Sequence, residues 1–340
     1  MTNPDPHPDE VDCAAGPHPD ALEVLAPREV PLGGPRAMTV RRTLPQRGRT
    51  LVGAWCFCDH YGPDDVAETG GMVVAPHPHT GLATVSWLFT GEIEHRDSVG
   101  THALVRPGEL NLMTAGRGIS HSEVSTAATT VLHGAQLWLA LPEDARHGEP
   151  RFEHHVPDPV AGEGWEARVF LGSLLGSSSP LPTATPLLGA ELTLAPGVGL
   201  DLPLEPTFEH ALLLDAGSLT VAEGPLAPGE LGYLAPGRAS ARLEAGGEGA
   251  RLLVLGGEPF GEAIVMFWNF VGRSHEEVAA YRADWQGQVA GDGDAAAADA
   301  GRVVADSQDV APGRFGTVEG DHRRPLPSPA LPGTRLRERH

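Results

Sequence analysis

The stretch APHPHTGLATVSWLFTGEIEHRDSVG, residues 75–100, decides how the rest of the chain is read. Two histidines, His77 and His79, stand one residue apart between prolines, and a run rich in Thr, Val and Trp follows. In a strand, residues i and i+2 point to the same face, so the pair would present two imidazoles side by side. A second such pair, His121 and Glu123, lies in AGRGISHSEVS, residues 115–125. If the two segments occupy neighbouring strands, three neutral imidazoles and one carboxylate converge. That donor set has no soft thiolate and suits Fe(II), Mn(II), Ni(II), Cu(II) or Zn(II). Either pair alone carries little weight, since isolated His-x-His and His-x-Glu spacings are common on surfaces.

Around these segments, short strand-like runs alternate with Gly/Pro turns: LVGAWCFCDHYG (51–62), THALVRPGELNLMTAG (101–116) and TTVLHGAQLWLALP (129–142). With 43 Gly and 32 Pro in 340 residues, turns are frequent and long helices should be rare. The rhythm is that of an antiparallel sandwich or barrel. It resumes after VPDPVAGEG (156–164), a plausible joint. PGELNLMTAG (107–116) and PGELGYLAPG (228–237) match each other, which reads as an internal duplication and hence two related β-domains. LFTGEIEHRDS and LLDAGSLTVAE each place a Gly between two runs, in the manner of a hairpin. The clearest helix is RSHEEVAAYRADWQ (273–286): Ser274 and Glu277 form a capping box, and Val278, Tyr281 and Trp285 share a face.

The chain holds 24 Lys+Arg, all of them Arg, against 45 Asp+Glu, a formal net charge of −21. Without a basic stripe, direct nucleic-acid binding is not expected, because phosphate contacts supply most of that affinity. The cysteines are Cys13, Cys56 and Cys58; an odd count with a Cys-x-Cys pair argues against a disulfide scaffold. Cys56 and Cys58 read as small buried hydrophobes. No apolar run approaches a membrane span or a signal sequence, so the expected location is the cytoplasm.

The motif spacing carries a resemblance. Gly71, His77, His79 and Gly91 resemble the first cupin motif, but its usual glutamate falls at Thr84. Together with FCDHYGP (57–63), PGELNLMTAGRGISHSE (107–123) and GAQLWLALP (134–142), this departure resembles the pirin family. The resemblance covers residues of about 35 to 290 and is most specific in the first half. It implies an all-β fold of two tandem cupin (double-stranded β-helix, jelly-roll) barrels with a few short helices. The implied organisation is a flexible lead-in over 1–35, a metal-binding barrel over 36–155, a second barrel with a terminal helix over 156–286, and a linker and extended strap over 287–340. It implies one divalent ion, Fe(II) first, with Mn, Ni, Co, Cu or Zn as alternatives. The ligands would be His77, His79, His121 and Glu123, with Glu123 also the general base. The second half offers only His210 in its FEHALLLDAG strand, and one imidazole builds no site.

For activity the resemblance implies a quercetin 2,3-dioxygenase acting on a flavonol-like substrate with O2. Its rivals are a non-enzymatic, iron-dependent, redox-sensing regulator acting through a protein partner, and a metal protein of unrelated small-molecule specificity. A monomer without membrane contact is expected in each case. Residues that could orient the ligands are Asp59, His60, His95 and Asp97. Asp59-His60 reads equally as a turn start, and Glu94-His95-Arg96 reads better as a solvated hairpin face. Gln136, Trp138 and Met113 are candidates for the pocket mouth, Trp138 being better placed in the core.

Overall fold

The computed structural model describes residues 22–32, 38–222, 224–289 and 313–339. The expected all-β architecture is present, as two barrels built from antiparallel strands. The first consists of a seven-stranded and a four-stranded sheet. The larger runs Arg151–His155, Leu110–Thr114, Leu82–Thr90, Val131–Ala140, Trp55–Asp65, Met38–Leu44, Arg28–Leu32. The smaller runs Val73–His79, Ile119–Ser125, Ile93–Asp97, His102–Val105. The second barrel is a nine-stranded sheet, eight strands lying between Pro159 and Gly257 and the ninth being Glu23–Leu25.

The repeated Pro-Gly-Glu-Leu segments fold alike. Gly108 and Gly229 both adopt positive φ, 72° and 86°. The Gly108 amide donates to Leu88 O and the Gly229 amide to Leu214 O, while Glu109 N and Glu230 N close the same turn onto Arg106 O and Ala227 O. The strands that follow pair in the same register, Thr84 opposite Met113 and His210 opposite Leu234. The duplication read from the sequence is therefore a duplication of structure.

Two expected hairpins take other forms. Leu82–Thr90 and Ile93–Asp97 belong to different sheets, so Gly91 turns a corner between sheets. Gly217 lies inside the single strand Glu209–Val221, at a register shift. A side chain there would drive into Gly249 O, so this glycine permits a bulge. The flexible lead-in expected over 1–35 is also corrected within its described part. Glu23–Leu25 pairs with Leu231–Tyr233 of the second barrel, and Arg28–Leu32 pairs with Met38–Arg42 of the first. Both stretches find an open sheet edge, and closing an edge satisfies backbone groups that composition alone does not reveal. Residues 1–21 and 33–35 of that lead-in lie outside the described residues; of the linker and strap expected over 287–340, residues 287–289 belong to a helix and 290–312 lie outside the described residues.

The largest core lies between the barrels. Trp55, Trp87, Val85 and Leu137 of the first pack with Phe170, Leu213, Leu253 and Leu255 of the second. The indole of Trp55 donates to Leu188 O and Gly256 O across the seam. Removing such side chains from water is worth about 1.5–3 kcal/mol each, so the seam binds the two barrels into one unit.

Beyond the second barrel the chain returns to the first. A hairpin, Val265–Phe267 with Phe270–Gly272, bridges to Thr80. The helix His275–Val289 follows, its Val278, Tyr281 and Trp285 buried as the spacing predicted. Half of the capping box forms: Ser274 Oγ accepts from Glu277 N at 3.1 Å, while the Glu277 carboxylate takes Arg273 N instead. Residues 313–339 lie extended over the helix and the first barrel. Phe315 packs on Trp285 and Phe270, and Leu326 bonds Pro76 O through its amide and the Trp285 indole through its carbonyl. Among the described residues, no helix is long and apolar enough to cross a membrane.

Candidate metal centre

The strands Val73–His79 and Ile119–Ser125 are antiparallel neighbours, with His121 directly opposite His77 and Ile119 opposite His79. Register thus brings together residues more than 40 apart in sequence. The ring nitrogens of His77, His79 and His121 lie within 4.8 Å of one another, and all three side chains are buried. A register shift between His121 and Glu123 resets the second pair. Glu123 consequently gathers with His121 and His95, so that the two triads share His121.

Hydrogen bonds assign the tautomers. Two backbone amides, Val99 N and Thr101 N, hold Asp97 Oδ1 at 3.0 and 2.9 Å. Asp97 Oδ2 lies 3.2 Å from His95 Nε2, and His95 Nδ1 lies 3.4 Å from His121 Nδ1. A proton on His95 Nε2 leaves its Nδ1 to accept from His121, which frees the lone pair of His121 Nε2. His77 Nδ1 donates to Ala75 O at 3.0 Å, freeing its own Nε2. His79 Nε2 then stands 3.0 Å from His121 Nε2. Its Nδ1 faces the backbone of Asn269 without a completed bond.

The electrostatics agree. Burial, with the neighbouring histidines adding to it, holds His79 and His121 well below the ordinary imidazole range. Burial pushes His77 down to about 4. Three neutral imidazoles with converging lone pairs form a nitrogen cage that repels protons and suits a first-row divalent cation. Burial raises the Glu123 carboxyl, offset in part by His95 and by Ser86. Ser86 Oγ reaches Gln136 Oε1 at 2.8 Å and Glu123 Oε1 at 3.4 Å, so its one proton serves one acceptor at a time.

These groups line a cavity of about 700 Å³. Phe57, Tyr61, Trp138, Phe267 and Trp268 form its aromatic wall, with Met72, Val74 and Met266. Gln136 lines it as anticipated; Trp138, read as better placed in the core, lines it too and stacks on Phe57, with ring centroids 4.0 Å apart. Met113 does not line the cavity: it shares a sheet face with Trp138 through Thr84, but packs beside Ala115 and Ile119 with Phe152 against them. The solvated reading of the 94–96 segment holds for Glu94 and Arg96, which pair with each other, and fails for the buried His95. Strand alternation explains the split. Cys56 and Cys58 are buried thiols, raised to about 12 chiefly by burial, as inert packing residues should be. The hairpin and strap residues Asn269, Leu326 and Pro327 were not visible as cavity walls in the sequence, since they arrive from the far end of the chain.

Asp59 and His60 lead away from the cage. Asp59 pairs with Arg42 at the cavity, through contacts of 2.6 and 2.7 Å. His60 Nε2 crosses the seam to Asp215 Oδ1 at 2.7 Å, and His133 Nε2 approaches the same oxygen at 2.6 Å, off its N–H axis. Arg251 takes Asp215 Oδ2 at 2.6 Å. Here the nitrogens meet a carboxylate already paired with a guanidinium, while His60 Nδ1 and His133 Nε2 stay buried without a hydrogen-bond partner.

Comparison with known proteins agrees with this architecture. Residues 37–139 match the family model described as Pirin, and residues 189–290 match the Pirin C-terminal cupin domain. A Pseudomonas aeruginosa protein named "Putative quercetin 2,3-dioxygenase PA1205" is 44% identical over 79% of this chain and 85% of its own length. A pirin-like protein of Caulobacter vibrioides is 38% identical over 73% of this chain and 88% of its own. Among solved structures, the 1.78 Å quercetin 2,3-dioxygenase of Acinetobacter baumannii superposes with a TM-score of 0.82 at 34% identity, covering 93% of this chain and 97% of that one.

Proposed function

Because the chain belongs to the pirin family, we propose that it is a metal-dependent dioxygenase of the quercetinase type, opening a flavonol-like substrate with O2. The observation that carries this reading is the nitrogen cage at the wall of an aromatic-lined cavity of about 700 Å³. A regulator acting through a partner would instead be served by an exposed apolar patch near the cage. The exposed large hydrophobics among the described residues are Val24 and Val73, in separate strands, and Val99 and Val156, in separate loops.

His77, His79, His121 and Glu123 would hold one divalent ion, Fe(II) in our reading, and the donor set present fits it. A bound ion of this kind acts as a Lewis acid and lowers the pKa of a hydroxyl brought to it. The protein does the rest. The aromatic wall receives a flat ligand and excludes water. Glu123, buried and raised, takes the phenolic proton at a carboxylate oxygen. Ser86 steadies that carboxylate, and the Asp97–His95 pair holds His121 in the tautomer that keeps Nε2 free.

The test is direct: purify the protein, measure its metal, add quercetin in air, and follow loss of flavonol absorption with release of CO. Turnover that His121→Ala abolishes supports the reading. An iron-loaded protein that leaves quercetin untouched, indistinguishable from His121→Ala, overturns it. Glu123→Gln should keep some metal and lose about 10²–10⁴-fold in turnover per bound ion, the range of a general base. Full activity in that variant removes the base role.

A further inference from the structure

One wall of the cavity is a ladder of stacked groups. The Arg42 guanidinium lies 4.3 Å over the Phe57 ring. Phe57 stacks on Trp138 at 4.0 Å with an interplanar angle of 11°, and Trp138 meets His79 edge to face at 5.1 Å. All four residues, with Asp59, line the same cavity. The ladder therefore runs along the cavity from the cage to a polar group three contacts away.

That polar group is a matched pair. Asp59 is almost wholly buried and takes Arg42 Nε and Nη2 through both oxygens, while the Arg42 side chain keeps 20% of its surface exposed. Arg42 Nη1 has no protein acceptor among the described residues, and each Asp59 oxygen retains an acceptor site beyond the one Arg42 uses. The pair thus offers a donor and an acceptor side by side, with its charges already balanced. A hydroxyl satisfies both, accepting from Nη1 and donating to Asp59. An anion finds the guanidinium neutralised and a carboxylate beside it. Burying such a pair in an aromatic wall is costly unless it is used for recognition or fully satisfied.

We infer that Arg42 and Asp59 form a remote subsite that reads a hydroxyl on an outer ring of the aromatic ligand whose other end reaches the cage. This rests on the flavonol-type reading above and adds to it which ligands are preferred and by which residues. Arg42 is a positioning residue, since it contacts the ligand far from the reacting atoms.

The experiment compares quercetin with 3-hydroxyflavone, which keeps the 3-hydroxyl and lacks every hydroxyl on the outer rings. Binding to the metal-loaded protein is followed by tryptophan quenching, and turnover in parallel. In Arg42→Met, quercetin should bind about tenfold more weakly with kcat unchanged, while 3-hydroxyflavone shifts less than twofold. Arg42→Lys, which keeps the charge and loses the fork, should fall between. Equal shifts for the two flavonols, or none for either, overturn the subsite even if both are turned over. Binding with the predicted selectivity but no turnover leaves the subsite standing and removes the dioxygenase reading. Failure of the wild-type protein to bind either flavonol overturns both.

Discussion

The two barrels repeat one plan, and their interiors differ at equivalent positions. The matched registers set Ser86 against Leu212 and Gln136 against Val254. They set Thr84, where an ordinary cupin glutamate would fall, against His210. The first barrel's ligand strands, Val73–His79 and Ile119–Ser125, correspond in order and pairing to Gly199–Pro203 and the start of Ser240–Gly257. In place of the histidines and Glu123, the inward residues there are Leu202, Ala241 and Leu243, all buried. One scaffold thus supports a polar cage or an apolar filling, and the choice lies in a handful of inward positions. His210 shows the difference in a single residue. It is buried, its Nε2 has no partner, and burial pushes it down to about 4, yet its ring neighbours Phe208 and no cluster of donors forms around it among the described residues. An imidazole becomes a ligand only when other donors converge on it.

The sharpest way to break this comparison is to remove one histidine from each barrel. His121→Ala should reduce metal content to background and abolish turnover, because second-partner changes alone cost about 10–100-fold in metal affinity and this change removes a ligand. His210→Ala should leave metal per chain and turnover unchanged. Metal analysis of both variants, purified identically, decides the matter. Metal lost from His210→Ala would mean that the second barrel shares in the site.

How much of this was legible beforehand follows the same division. Strand alternation made His77/His79 and His121/Glu123 readable as pairs, and the repeated Pro-Gly-Glu-Leu marked the duplication. These signals are local. The bulge that turns Glu123 toward His95 depends on cross-strand register, and the burial of His95 and Asp97 depends on which edge the sheet covers. Neither is encoded in a window of a few residues. The same limit hid Ser86, Arg42 and the returning residues Asn269 and Leu326, whose significance exists only once distant segments meet. Asp59-His60 was readable as one unit, yet the fold sends its two side chains to opposite tasks, the cavity and the seam.

The seam offers a test of the second kind of histidine cluster. Burial raises the Asp215 carboxyl, but His133 and His60 beside it outweigh that and hold it below the usual range. Burial lowers His60, its bond to Asp215 offsetting only part. Both groups bind fewer protons folded than unfolded, so stability falls as pH drops, first below about 6.5 through His60 and then below about 4 through Asp215. Asp215→Asn should cost about 1.5–3 kcal/mol near neutral pH, because it removes charge-assisted bonds to Arg251 and His60. It should also flatten the dependence of stability on pH below about 4. Urea unfolding across pH measures both, and metal content should not change. Loss of metal in this variant would show that the seam cluster binds the ion too, and the distinction between histidines gathered on an ion-paired carboxylate and those of the cage would fall.

The smallest change makes one position of the first barrel resemble the second. Gln136→Val installs the residue found at 254 and deletes the acceptor 2.8 Å from Ser86. The serine proton is then left with Glu123 Oε1, 3.4 Å away, as its acceptor. Exchanging one hydrogen bond for another should alter stability by no more than about 1 kcal/mol. A carboxylate that accepts a firmer bond is a weaker base, so turnover should fall a few-fold while metal per chain stays constant. That result would place the amide in tuning the cage and leave the ligands in forming it. Metal loss in Gln136→Val would instead show that apolar filling at this one position is enough to exclude the ion. The difference between the barrels would then rest on packing around the ligands as much as on the ligands themselves.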